Sequence, residues 1–194
     1  MQSQIKDLII HVYGHPSADP QGVARTFSGV IPDQISSDAD LAIFTVDPSA
    51  GIDQETIDKW LLLDDYQTPR LIVVTGLEKQ EADFDDAVMI ANRVFDQTTT
   101  PYLVLHDDAG SPAGLISLED LSIINYATTP PTKTPSDPEL HTLVQEFRDE
   151  YIELTRSLGE GAFQAGLMFP AIPLWIERGI GVDIVQGFIE QLTT

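Results

Sequence analysis

The densest run of potential chemistry lies near the N-terminus, where His11, His15 and Asp19 recur every four residues. On a helix, two histidines at that spacing share a face and can grip a metal ion. Gly14, Pro16 and Pro20 interrupt the run and oppose a helix. A strand end followed by a loop is the competing reading. His106-Asp107-Asp108 offers further ligands, yet Asp-Asp ahead of Ala-Gly is also ordinary turn chemistry. The pairs Asp64-Asp65 and Asp85-Asp86 fall at expected helix ends or on solvated faces, and no acid–base role is assigned to them. Ser49 and Ser111 have no histidine partner visible in sequence, and no nucleophile-elbow motif is present. No pattern supports an independent hydrolytic enzyme.

Composition narrows the classes further. The 194 residues suit one domain, or one domain with a small insertion, and 42% hydrophobic residues allow an ordinary core. The absence of cysteine excludes disulfides, thiolate metal sites and cysteine nucleophiles. Ten basic residues face 31 acidic ones, for a formal net charge of −21. The lysines (Lys6, Lys59, Lys79 and Lys133) are scattered, so no basic cluster exists to displace counterions from a phosphate backbone. Nucleic-acid binding is therefore not expected. No apolar run reaches the length of a membrane span, and the opening residues lack the pattern of a secretory signal. A cytoplasmic location is the expectation.

Hydrophobic patterning predicts the elements that must position any site. Ile5 to Val12, Leu41 to Val46 and Leu71 to Thr75 read as buried strands. A short helix is expected over Gln21 to Phe27, with Gly14 to Asp19 as a loop before it. Asp53 is placed to cap a helix running to about Asp65, with Ile57, Trp60, Leu61 and Leu63 near one face. Asp83 caps another, through Phe95. Tyr102 to Leu105 and Gly114 to Ser117 flank a turn and form a hairpin, with helix-capable residues after it. Ala127 to Pro138 holds four prolines and four threonines and reads as a linker or exposed loop. A long helix spans Glu139 to Leu158 and stops at Gly159. Leu167 to Leu174 is strand-like, and Asp183 to Leu192 is a closing helix.

The order and wording of these segments resemble elongation factor G. The phrase FTVDPSAGIDQETIDKW is similar to the family's strand, turn and helix after its third GTPase motif. YQTPRLIVVTGLEKQEADFDDAV resembles the fourth-motif region and keeps its Ala82-Asp83-Phe84 ending. GLISLEDLSIINY is similar to the start of the insertion that sets this factor apart. His141 to Leu154 resembles the acidic helix after it, and Pro170 to Leu192 the fifth-motif strand and closing helix. The resemblance spans residues 5 to 192 and rests on order and phrase, with no motif intact.

The departures carry the functional expectation. A GTPase holds triphosphate with a glycine-rich loop, a lysine and a magnesium-bound hydroxyl. No Gly-Lys pair occurs in this chain. Ile5 to His15 aligns with the third-motif strand, so the resemblance implies an N-terminally truncated domain lacking the phosphate loop and first switch. Gly14 and His15 remain from the third motif, but His11 stands where the family has aspartate. His15, which in the family orients the attacking water, has no phosphate to act on. Thr75, Gly76 and Glu78 replace the asparagine, lysine and aspartate that read the base, and Trp175 and Ile176 replace the serine-alanine step of the fifth motif. Gly14, His15, Thr75, Glu78 and Trp175 are thus vestigial nucleotide-site positions, none expected to be catalytic.

The expected fold is α/β, a mostly parallel central sheet with helices on both faces and an inserted hairpin subdomain. The implied division is 1–99 for a degenerate core, 100–138 for the insertion, and 139–194 for the long helix, returning strand and closing helix. The resemblance implies a pseudo-GTPase acting as a protein-interaction or regulatory module, with a protein partner or homodimer and with neither GTP, GDP, magnesium nor another metal bound. The alternatives are a weak guanine-nucleotide-binding GTPase, half of a split GTPase, or a remnant without a selected role.

Overall fold

The computed structural model describes residues 7–79 and 83–193. Four parallel strands form its central sheet: β1 (Ile10–Tyr13), β2 (Leu41–Val46), β3 (Arg70–Val74) and β8 (Ala171–Pro173), in the order β1-β2-β3-β8. Every residue in these strands is buried, as expected of a parallel sheet covered on both faces. Side chains alternate between the two faces. Leu41 and Ile43 join Ile10, Val12, Leu71 and Val73 beneath α1 (Pro20–Thr26) and α5 (Val182–Glu190). Ala42 and Phe44 face the other way, with Ile72 and Val74, under α2 (Gln54–Leu62) and α3 (Phe84–Val94). The expected α/β architecture with helices on both faces is the one observed.

Arg70 fastens α2 to this sheet. Its guanidinium is only 2% exposed and lies 4.5 Å from the Trp60 ring and 4.4 Å from the Phe169 ring. It donates to the Trp60 carbonyl at 3.0 Å and reaches Asp64 Oδ1 at 2.6 Å. A buried cation needs such partners to offset its lost hydration.

The second sheet is antiparallel, in the order β4-β5-β6-β7: β4 (Tyr102–His106), β5 (Pro112–Ser117), β6 (Ser122–Asn125) and β7 (Thr132–Pro135). The 21-residue helix α4 (Pro138–Leu158) packs Leu140, Val144 and Tyr151 toward Leu103, Leu105, Ile116 and Leu118 of this unit. Asp137 caps it by accepting from the Leu140 N–H at 2.9 Å, and Gly159 follows its last turn.

Several expectations are corrected. The first strand begins at Ile10, not Ile5; Asp7 to Ile9 form no ladder, and Ile5, Lys6 and Ala82 lie outside the described residues. The segment after the hairpin is β6 rather than helix, and the Pro/Thr-rich stretch contains β7, so the hairpin grows into four strands. The returning strand is only Ala171–Pro173. Leu61 points to solvent, and α2 ends at Leu62, with a separate 3-10 turn over Asp64–Tyr66. Asp53 precedes α2 but accepts from the Thr56 hydroxyl rather than from a backbone N–H. The outer edge of β1 is partly covered by Val30, whose backbone exchanges bonds with Val12 and Ile10 at 2.9 Å.

Candidate functional site

Because the central strands run parallel, their C-terminal ends and the loops that follow share one edge, where such sheets place ligands. Four loops meet there, following β1, β2, β3 and β8. Three of them, those after β1, β3 and β8, border a cavity of about 80 Å³ lined by residues including Asp19, Thr75, Gly76, Glu78, Trp175 and Glu177. Three of these positions, Thr75, Glu78 and Trp175, are candidates from the sequence, and the fold brings them together. Gly14 and His15 sit on the same edge but outside the lining.

Each wall is fixed by its own chemistry. Thr75 follows β3 directly, is buried, and donates its hydroxyl to the Ala18 carbonyl at 2.9 Å, tying the loop after β3 to the one after β1. Trp175 exchanges backbone hydrogen bonds with Ile180 at 3.0 and 3.1 Å, closing the loop after β8 on itself. The Arg178 guanidinium lies 5.1 Å from the Trp175 ring and donates to the Pro112 carbonyl at 3.2 Å, linking this edge to the second sheet. His15 is exposed and heads the 3-10 turn Pro16–Ala18, where its Nδ1 accepts from the Ser17 N–H at 3.2 Å. Gly14 needs its lack of a side chain, since a Cβ would lie 2.0 Å from Thr45 Oγ1. His11 is buried in β1, its Nδ1 3.3 Å from the Tyr13 hydroxyl. Among the described residues, no three His, Asp or Glu side chains gather as a metal ion requires.

Asp47 and Lys79 escape notice in the sequence. Asp47 is fully buried at the end of β2. Its Oδ1 accepts from the Ser49 N–H at 2.9 Å and the Ser49 hydroxyl at 2.6 Å, and its Oδ2 accepts from Lys79 Nζ. Burial alone would push this carboxyl up; the bonds from Lys79 and Ser49 outweigh it and hold it below the usual carboxylate value. Gly76 sits over the pair with φ 73°, and a Cβ there would lie 3.0 Å from the Asp47 carboxylate. The left-handed backbone and the nearby carboxylate together favour glycine at position 76. A carboxylate in a strand-ending Asp-Pro-Ser turn is the available signal, but its partner lies 32 residues away.

The cavity's chemistry follows. Its charged lining residues are the carboxylates Asp19, Glu78 and Glu177, with no lysine or arginine among them. Small-molecule pockets usually measure roughly 300–1,000 Å³, several times this volume. A polyphosphate placed there would meet like charge. A larger cavity, about 570 Å³, lies away from this edge between α3 and α4, beside the exposed Met89 and Phe147. Among the described residues no helix is long and apolar enough to cross a membrane.

No family model matches the chain. Over 168 residues it is 27% identical to the "Elongation factor G-like protein" of Mycobacterium tuberculosis, covering 74% of this chain and 23% of that protein. Over 131 residues it is 28% identical to the "Ribosome-releasing factor 2, mitochondrial" of Anopheles gambiae, covering 65% of this chain and 18% of that protein. A crystal structure from Thermus thermophilus shares the fold, with a TM-score of 0.68 at 24% identity over 81% of this chain and 26% of that one. The chain thus spans between 18% and 26% of the proteins it matches. It is related to elongation factor G-like translation factors.

Proposed function

We propose that this relative of elongation factor G-like factors is a pseudo-GTPase domain: a nucleotide-free scaffold that serves as a protein-interaction or regulatory module. The observation that carries the reading is the small acidic cavity at the C-terminal edge of the parallel sheet. At the edge where a related GTPase would hold its nucleotide, side chains bridge the loops. Thr75 bonds to Ala18, Lys79 is committed to Asp47, and Trp175 stands in the loop after β8. The chain's residues include no Gly-Lys step to hold a phosphate.

A role in binding protein is supported by surface that the core does not use. Leu143 and Phe147 on α4 and Met89 on α3 are about half exposed or more, at 74%, 48% and 49%. Met89 and Phe147 border the groove between α3 and α4, and exposed apolar side chains at such a place are a common mark of a protein contact. The acidic surface disfavours a nucleic-acid partner. Calorimetric titration with GTP and GDP in magnesium tests the nucleotide-free claim, and binding would favour the alternative of a weak guanine-nucleotide-binding factor.

A further inference from the structure

The two layers of the molecule meet at the larger cavity. On one side α3 gives Phe84, Ala87 and Ala91 to the parallel sheet, with Val88 packed at the margin of that core. On the other, α4 packs Val144 and Tyr151 on the second sheet, near Leu103. Each helix is held by its own sheet, and the seam between them stays unfilled. The space measures about 570 Å³, within the range of roughly 300–1,000 Å³ usual for small-molecule pockets. Val88, Leu103, Leu118, Phe147 and Leu154 make its lining largely apolar.

Its floor carries an unanswered polar group. Thr98, Thr99 and Leu118 line the cavity and are 5%, 2% and 1% exposed. Thr98 is satisfied, because its N–H and its hydroxyl both donate to Asn92 Oδ1, at 2.8 and 2.9 Å. The Thr99 backbone is paired too. Its N–H donates to the Phe169 carbonyl at 3.0 Å, and its carbonyl accepts from the Ala171 N–H at 2.9 Å. The Thr99 hydroxyl alone is left, buried and without a hydrogen-bond partner among the described residues. Such a group is costly, and whatever fills the cavity it lines can satisfy it. The charged lining residues, Asp85, Asp86, Arg93 and Glu150, are all exposed and so belong to the rim. Their balance is negative, which disfavours an anionic head, and the floor has no charge to answer an ion.

We propose that this cavity binds a small, uncharged amphiphile, with its apolar body between α3 and α4 and a hydroxyl or carbonyl head on the Thr99 hydroxyl. Met89 and Phe147, about half exposed, form the mouth through which it enters. The site uses none of the residues at the C-terminal edge of the parallel sheet, so it goes beyond the nucleotide-free reading and does not depend on it. It gives an occupant to the depth of a groove whose exposed rim is read as a protein contact.

The test is fluorescence titration of the full chain with Nile red, an uncharged apolar dye with a carbonyl acceptor, followed by competition with 1-octanol and with octanoate. Circular dichroism first confirms that each variant folds. The parent should bind the dye saturably with a Kd on the order of 10 µM. Octanol should displace it, and octanoate at the same concentration should not. Thr99→Val keeps the shape without the hydroxyl and should weaken dye binding about fivefold, while Thr99→Ser should keep the parental affinity. Because the hydroxyl has no protein partner, Thr99→Val should leave the urea midpoint of the dye-free protein unchanged or raised. Leu154→Trp fills the cavity and should abolish binding; if it does not fold, Met89→Glu at the mouth takes its place with the same expectation. No saturable binding, equal affinity of Thr99→Val and the parent, a lowered midpoint in Thr99→Val, or stronger displacement by octanoate each overturns the proposal. A parent dimer that the cavity variant turns into a monomer, with no dye bound, assigns the space to a second copy of the chain and overturns it as well. Binding of GTP or GDP by the parent would sink the nucleotide-free reading and leave the dye result to decide this one.

Discussion

Lys79 donates to the fully buried carboxylate of Asp47, joining the loops after β3 and β2 across the edge where the candidate site lies. The pair holds the two loops together. Gly76 leaves just enough room above it.

Removing the amine while keeping the stem isolates this contact. Lys79→Met should destabilise the fold by about 1–2 kcal/mol at pH 7, the low end for a buried carboxylate losing its partner, because Lys79 is 43% exposed and water can partly replace it. Asp47 is held below its ordinary value, so its contribution is present above about pH 4 and is lost as the pH falls. The gap between parent and variant should therefore narrow between pH 7 and pH 3. Urea denaturation at both values checks this, and a constant gap would count against it.

Geometry favours glycine at position 76, where φ is 73° and the Asp47 carboxylate lies close by. Gly76→Ala places a Cβ in the left-handed region and against the Asp47 carboxylate. It should cost about 1–3 kcal/mol in urea denaturation. Gly110, with φ 79° and open space around it, should lose only the conformational part, so Gly110→Ala is the smaller effect. Equal costs would remove the packing argument.

At alkaline pH the tyrosines dominate. The Tyr126 hydroxyl donates to Asp183 Oδ1 at 2.7 Å, tying the second sheet to the start of α5. Burial first, then the Asp183 bond, pushes this hydroxyl up. Tyr13 and Tyr151 are each pushed up to about 12, by burial and nearby carboxylates. A raised folded value means that the protonated form stabilises the fold; this holds below about pH 10 and is lost as the pH rises above it. Tyr126→Phe should cost about 1–2 kcal/mol at pH 7, and its difference from the parent should shrink above pH 10. Denaturation at pH 7 and pH 11 checks both statements.

What is legible in the sequence follows from where burial leaves a pattern. Leu41 to Val46 is apolar almost throughout because both its faces are covered, and its patterning marks both ends of the strand. Asp83 and the proline-glycine frame of α4 mark helices by local chemistry that needs no tertiary contact. β7 is hidden because Thr132 to Pro135 is fully exposed and has no apolar face to alternate. The run from Ile5 to Val12 misleads for the opposite reason: Ile9 is apolar yet 41% exposed, so hydropathy extends β1 past its ladder. In the site, Thr75, Glu78 and Trp175 can be placed by resemblance in segment order. The Asp47–Lys79 pair cannot, because it depends on how two crossovers bring distant loops together.

The most direct test of the central claim is calorimetric titration of the folded chain with GTP and with GDP in magnesium. The small, acidic cavity at this edge predicts no binding tighter than about 10 µM, or roughly 7 kcal/mol. Saturable binding of either nucleotide below that value would contradict it.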